Sequence, residues 1–340
     1  MQNLLTSRST YKPFLYPWAH VAYQEQKAAE WSIEEIPLAD DVKDWNSGKL
    51  NDSEKNLLTQ IFRFFTQADV DVAKGYLHQY IPIFGHQPEL ASMLTIFAKM
   101  EAEHVNAYSS LLDTIGMPET EYQAFAEYTA MADKHELISN TTMFIDQWSN
   151  EDGRVEYTKE SLESIALGLA VYSAFTEGLQ LFSSFAILLN FSRFGNMKGM
   201  GQAITWSIRD ESLHVKYMIK LFHTFIEEHP ELWTDEFKKK IYEACRTIVD
   251  LEDSFIDLAF EQGDVKGLTS AEVKQYIRYI ADRRLLQLGL KPNYGVKENP
   301  LEWLDSILNG VEHGNFFETR VTEYNKASVV GWEDVWDANS

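Results

Sequence analysis

The sequence predicts an all-α fold, a bundle of long helices gathered around paired carboxylates and imidazoles. Three observations carry that expectation. No stretch sustains the period-two alternation of a half-buried strand, while capping signals and prolines punctuate long segments. Glu-x-x-His occurs twice, at Glu101 to His104 and at Glu211 to His214, and residues three apart share one face of a helix. A carboxylate also lies upstream of each pair, Asp69 at 32 residues before Glu101 and Glu177 at 34 before Glu211. A helix that climbs about 14 residues, turns and descends again returns level with its start. Each upstream carboxylate then faces a Glu-x-x-His pair across a hairpin.

Taken in order, residues 1–20 carry Pro13, Pro17 and several aromatics and read as an arm laid over a surface. A short helix is expected from Val21 to Trp31. Asn51-Asp52-Ser53-Glu54 is a capping box that opens a long helix through Phe62, Phe65 and Asp69 toward Gly85. Pro88 suits the first turn of the next helix, which carries Glu101, His104 and Tyr108 and ends near Gly116. Pro118 starts another, to about Trp148, before the turn-rich break Asn150-Glu151-Asp152-Gly153-Arg154. A helix from about Lys159 to Phe191 is apolar on nearly every face, with Glu177 near its middle. Gly195 to Gly201 reads as a turn, since no strand precedes it and the phosphate-loop spacing is absent. The following helix holds Glu211 and His214 and runs to about His229. Two more span roughly Thr234–Gln262 and Thr269–Gly289, the second opened by the capping box Thr269-Ser270-Ala271-Glu272. No linker divides residues 21–323, so they form one domain. Residues 324–340 mix Trp332 and Trp336 with acidic and small residues and read as a flexible tail with aromatic anchors.

Composition narrows the function. With 340 residues, 45% of them hydrophobic, the chain can bury a large core. A net charge of −22 argues against nucleic acid or anionic membranes as partners. Cys245 is the single cysteine, which excludes an internal disulfide and zinc-thiolate chemistry and fits a buried small hydrophobe. The polar start, Met1 to Thr10, has no secretory signal pattern, and a reducing, cytoplasmic setting is expected. Ile165 to Phe191 is long enough to suggest a membrane span. A carboxylate at its midpoint, with Gln180 one turn on, is costly in lipid, and the mean hydropathy is −0.30.

Glu177 in a soluble core is equally awkward, because a buried unpaired carboxylate costs several kcal/mol or takes up a proton. Coordination of a cation removes the difficulty. Asp69, Glu101, His104, Glu177, Glu211 and His214 make an oxygen-rich, hard donor set suited to iron or manganese, where zinc would bring thiolate or more histidine. Asp71, two residues past Asp69, is an alternative to it, and Glu103 is expected at the surface. The pattern is that of ferritin-like di-iron and di-manganese carboxylate bundles, with one Glu replaced by Asp. Tyr108 shares the face of Glu101 and His104, one turn beyond the histidine.

With Asp69, Glu101-x-x-His104-x-x-x-Tyr108, Glu177 and Arg209-Asp210-Glu211-x-x-His214, the chain resembles, from about Trp31 through Tyr324, the small radical-generating subunit of class I ribonucleotide reductase. The resemblance implies a ferritin-like homodimer with two metal ions per chain, a di-iron pair first and dimanganese or manganese–iron as alternatives. The centre would react with oxygen or superoxide and oxidise Tyr108, which stores or passes the equivalent. Asp210 would link His104 to Trp31. Tyr324, in Arg320-Val321-Thr322-Glu323-Tyr324, would carry the equivalent across the subunit boundary, with Trp332 and Trp336 as other aromatic candidates. The tail would dock on a large subunit whose cysteine reduces ribonucleotides, in agreement with the lone cysteine here. Leu181 and polar Ser207 stand where the family usually places large apolar residues, so a more open, wetter pocket at Tyr108 is expected. The competing readings are a self-contained dimetal oxidase or hydroxylase, which needs no aromatic tail, and an iron-storage bundle, which would assemble into a shell.

Overall fold

The computed structural model describes residues 3–124, 127–142 and 157–307. Its helices are α1 (Pro17–Ala28), α2 (Ala39–Asn46), α3 (Asp52–Gly75), α4 (Ile81–Phe84), α5 (Pro88–Ile115), α6 (Glu121–Ala124), α7 (Thr129–Thr142), α8 (Lys159–Val171), α9 (Phe182–Arg193), α10 (Lys198–Glu228), α11 (Asp235–Ala259) and α12 (Ser270–Gln287). Among the described residues the only extended pairing is an isolated bridge between Val265 and Leu268, so the fold is all-α.

Local chemistry sets the helix starts. Asn51 and Glu54 close a reciprocal capping box, each side chain accepting from the other's backbone N–H at 2.9 Å. Thr269 and Glu272 do the same ahead of α12. Gly116 ends α5 in the left-handed conformation, φ +79°, where a glycine costs least.

The structure departs from the expected boundaries in several places. Helix α1 begins at Pro17, inside the expected arm, because proline at the first helical position has no N–H to lose. The residues before it are held at the surface. Glu89 accepts from the backbone N–H groups of Leu15 and Tyr16 at 2.7 and 2.9 Å, and Glu228 accepts from Leu4 N–H at 2.9 Å. The glycines of the expected 195–201 loop serve two purposes. Gly195 turns with φ +80°, but Gly199 and Gly201 lie inside α10. A Cβ on Gly199 would sit 2.7 Å from Asp41 Oδ2, and one on Gly201 would sit 2.3 Å from Ser192 Cβ, so both permit close packing rather than a bend. The helix expected from Pro118 is divided into α6 and α7, and its expected end at Trp148 lies outside the described residues.

Helices α3 and α5 run along each other, α10 packs against α9 and the segment before it, and α10 also meets α5. Neither hairpin is regular. A π-helical turn, Tyr76–Tyr80, follows α3, and a nine-residue π stretch, Tyr172–Gln180, separates α8 from α9. The expected uninterrupted helix over 159–191 is therefore widened where it carries Glu177. Such i→i+5 turns are rare and recur at functional sites. The stretch Lys159–Arg193 is long and apolar enough to cross a membrane, yet 89% of its most apolar window is buried inside the protein.

Candidate metal centre

Four helical segments bring the six predicted ligands together: Asp69 from α3, Glu101 and His104 from α5, Glu177 from the π stretch, and Glu211 and His214 from α10. All six are fully buried. Their donor atoms form two overlapping groups, Asp69 with Glu101, His104 and Glu211, and Glu177 with Glu101, Glu211 and His214. Within each group the atoms lie inside 4.8 Å of one another. Glu101 and Glu211 belong to both, so each could be shared by two cations held there. Each histidine presents Nδ1: His104 lies 3.4 Å from Glu101 and 3.3 Å from Glu211, and His214 lies 2.8 Å from Glu101.

The donor set fits metal on its own terms. Both oxygens of Asp69, Glu101 and Glu211, one of Glu177, and Nδ1 of both histidines have no hydrogen-bond partner outside the cluster among the described residues. Buried polar atoms are normally satisfied, and four carboxylates with two imidazoles are the hard ligands of iron and manganese. Without cations, protons must balance the charge. Burial first, then the charges of Glu101 and Glu211, push Asp69 well above the usual carboxylate range. Burial also pushes Glu177 up, His214 only partly offsetting it. Burial alone would raise Glu101, but the two histidines outweigh it and hold it down at about 2. Burial alone would lower His214, but Glu101 and Glu211 push it up to about 10. Cation binding would displace these protons.

Asp71, the alternative to Asp69, is occupied elsewhere, pairing with His135 at 2.7 Å and Lys74 at 3.0 Å. Glu103 is half-buried and caps Ile33 N–H at 3.0 Å. Cys245 is buried, and burial pushes its thiol up to about 12.

Asp210 receives three groups: Trp31 Nε1–H donates to Oδ2 at 2.7 Å, Gln26 donates to Oδ1 at 3.0 Å, and His104 Nε2 lies 3.1 Å from Oδ2. An unbroken chain thus runs from His104, whose Nδ1 faces the cluster, to Trp31. The Trp31 ring lies 5.9 Å from that of His104 and 5.3 Å from that of Trp206. Tyr108 is 3% exposed, and its hydroxyl donates to Ser207 Oγ at 2.7 Å. Ser207 in turn donates to Ala203 O at 3.0 Å. The open, wet pocket expected here is absent. Phe65 packs 4.4 Å from the tyrosine ring, and the adjoining cavity, about 10 Å³, is lined by apolar groups such as Phe62, Leu111, Leu188 and Met200. The serine is consumed by the phenol and its own helix, so its polarity admits no solvent. Tyr324 and the tail lie outside the described residues.

Three contacts escaped the sequence. Tyr76 donates its hydroxyl to Glu177 Oε1, Gln26 braces Asp210, and Trp206 extends the aromatic path. None carries a spacing signal, because each comes from a segment distant in sequence.

A family model described as ribonucleotide reductase, small chain, matches residues 8–300. The chain is 46% identical over 331 residues to the probable ribonucleoside-diphosphate reductase small subunit 048L of Invertebrate iridescent virus 3, covering 97% of this chain and 87% of that one. It is 31% identical over 323 residues to the ribonucleoside-diphosphate reductase subunit beta of Chlamydia pneumoniae, covering 94% and 91%. Among solved structures, the R2 subunit of Clostridium botulinum superimposes with a TM-score of 0.78 at 22% identity, over 90% of this chain and 94% of the other. The dimanganese(II)-NrdF of Streptococcus sanguinis does so with 0.72 at 22% identity, over 90% and 99%.

Proposed function

The chain belongs to the ribonucleotide reductase small-chain family, and from that premise we propose that its six buried ligands hold the two cations that generate the radical. It is the small subunit of a ribonucleoside-diphosphate reductase, an oxidoreductase that works with a large subunit. The observation that carries the residue assignments is the pair of four-ligand groups sharing Glu101 and Glu211, sealed from solvent. An iron or manganese pair bound there would supply one-electron redox chemistry toward an oxygen-derived oxidant. We assign a di-iron pair first, with dimanganese and manganese–iron as alternative loadings.

The chain's own residues do the rest. Asp69, Glu101, His104 and Glu211 would hold one cation and Glu101, Glu177, Glu211 and His214 the other, and the apolar walls exclude water. Tyr108 would give up an electron, and its hydrogen bond to Ser207 Oγ holds the phenol in place. Asp210 holds His104 and Trp31 on one carboxylate, so Trp31 receives the equivalent and hands it toward Tyr324. The tail then docks on the large subunit, where a cysteine begins ribonucleotide reduction. A soluble cytoplasmic homodimer is the form we assign.

Aerobic reconstitution with iron, manganese or both, followed by metal analysis and electron paramagnetic resonance, tests this. Two ions per chain and an organic radical lost in Tyr108→Phe support the assignment. A multiline metal signal unaffected by that change moves storage to the metals, and fewer than two ions per chain refutes the site. Removing residues 325–340 should abolish reduction by the two-subunit enzyme but leave the radical. Activity surviving that deletion would indicate a self-contained oxidase, and a shell of many copies in a size measurement would indicate iron storage.

A further inference from the structure

We propose that Arg284 and Lys134 are positioning residues for the second cation, because they clamp the widened helical turn that carries Glu177. The proposal rests on the dimetal reading above. Glu177 sits within the π stretch Tyr172–Gln180, and an i→i+5 turn displaces carbonyls from the register of a regular helix. Two of those carbonyls receive cationic donors from outside the four metal-bearing segments. Arg284 Nε, on α12, donates to Gly178 O at 2.7 Å. Lys134 Nζ, on α7, donates to Gln180 O at 3.3 Å.

Both cations are built in. A Cβ on Gly178 would lie 2.7 Å from Arg284 Nε, 3.0 Å from Ser173 O and 3.1 Å from Arg284 Cδ, so a side chain on the residue after the ligand would displace the guanidinium and crowd the turn. Arg284 also lies over the Phe182 ring at 5.0 Å and donates to Gln287 at 2.9 Å. Lys134 is fully buried between the rings of Phe64 and Phe255, 4.0 and 4.1 Å from their centroids. It is paired with Glu252, which accepts from Ser183 at 2.5 Å. A buried ion pair is a poor source of stability, since desolvation offsets the attraction; here it delivers a donor to the π stretch. Removing the donors leaves the carbonyls to regain regular helical register, and each residue of register turns a side chain about 100° around the axis. Glu177 would leave the cluster. Asp69 sits in regular α3, so the first site has no such dependence.

Manganese(II) titration, with free ion read by electron paramagnetic resonance, tests the clamp. Glu177→Ala gives the reference for loss of the second site, and unfolding curves of metal-free protein check the fold. Arg284→Met should bind one ion as the wild type does and the second about 10–100-fold more weakly, the range for groups that orient ligands. Arg284→Lys should recover part of the loss. Gly178→Ala, which blocks the guanidinium, should reproduce it, and so should Lys134→Met with Glu252→Met, a pair that leaves no buried lone charge. Wild-type affinity for both ions in folded Arg284→Met and Gly178→Ala would overturn the clamp. Equal weakening of both sites in step with lost stability would also overturn it. A wild-type chain that binds fewer than two ions overturns the dimetal reading itself.

Discussion

Replacing Ser207 by alanine removes the hydrogen-bond partner of the tyrosine proposed to carry the radical. Tyr108 is 3% exposed and its hydroxyl donates to Ser207 Oγ at 2.7 Å. In Ser207→Ala that buried donor loses its partner. The adjoining cavity, about 10 Å³ and apolar, disfavours a replacement water, which needs two or more polar partners. An unsatisfied buried donor costs about 1–3 kcal/mol. Tyr108→Phe removes the donor as well, so adding Ser207→Ala to it should cost markedly less, a coupling of about 0.5–3 kcal/mol. Denaturant unfolding of the four metal-free proteins measures this without interference from metal binding. The same proteins, reconstituted, report the radical by electron paramagnetic resonance, and Ser207→Ala should alter its line shape and lifetime. An equal cost of Ser207→Ala with Tyr and with Phe at 108 would refute the reasoning, since the serine would then serve only its own helix through Ala203.

Three further outcomes follow from the geometry. Asp210→Asn replaces an acceptor of two N–H donors that also faces His104 Nε2, so affinity at the His104 site should fall about 10–100-fold, read by manganese titration. Trp31→Phe should leave metal content and radical yield unchanged yet abolish turnover with the large subunit; retained turnover would remove Trp31 from the path. Cys245, held up at about 12 against an ordinary 9.0, stays a thiol in the fold. Its stabilising contribution is complete below pH 9 and is lost as pH rises toward 12, because only the unfolded thiol ionises in that window. Thiol labelling at pH 8 should therefore require unfolding, and rapid labelling of native protein would contradict the burial.

The sequence by itself determined what is local. Capping boxes at Asn51 and Thr269 start helices wherever they occur, since cap and amide are three residues apart. Glu-x-x-His places its two donors on one face whatever surrounds the helix, so Glu101, His104, Glu211 and His214 were legible at once. Asp69 and Glu177 followed from hairpin arithmetic that assumed regular helices. Tertiary structure decided the rest, because it depends on how helices are rotated and which neighbours they meet. Packing widened the turn at Glu177, chose Glu101 and Glu211 as the shared carboxylates, and turned Asp71 toward His135. It set Tyr76 against Glu177 and Ser207 against Tyr108. It also sealed a pocket that a polar serine had suggested would be open, since the serine's hydrogen bonds were already spent on the phenol and its own helix.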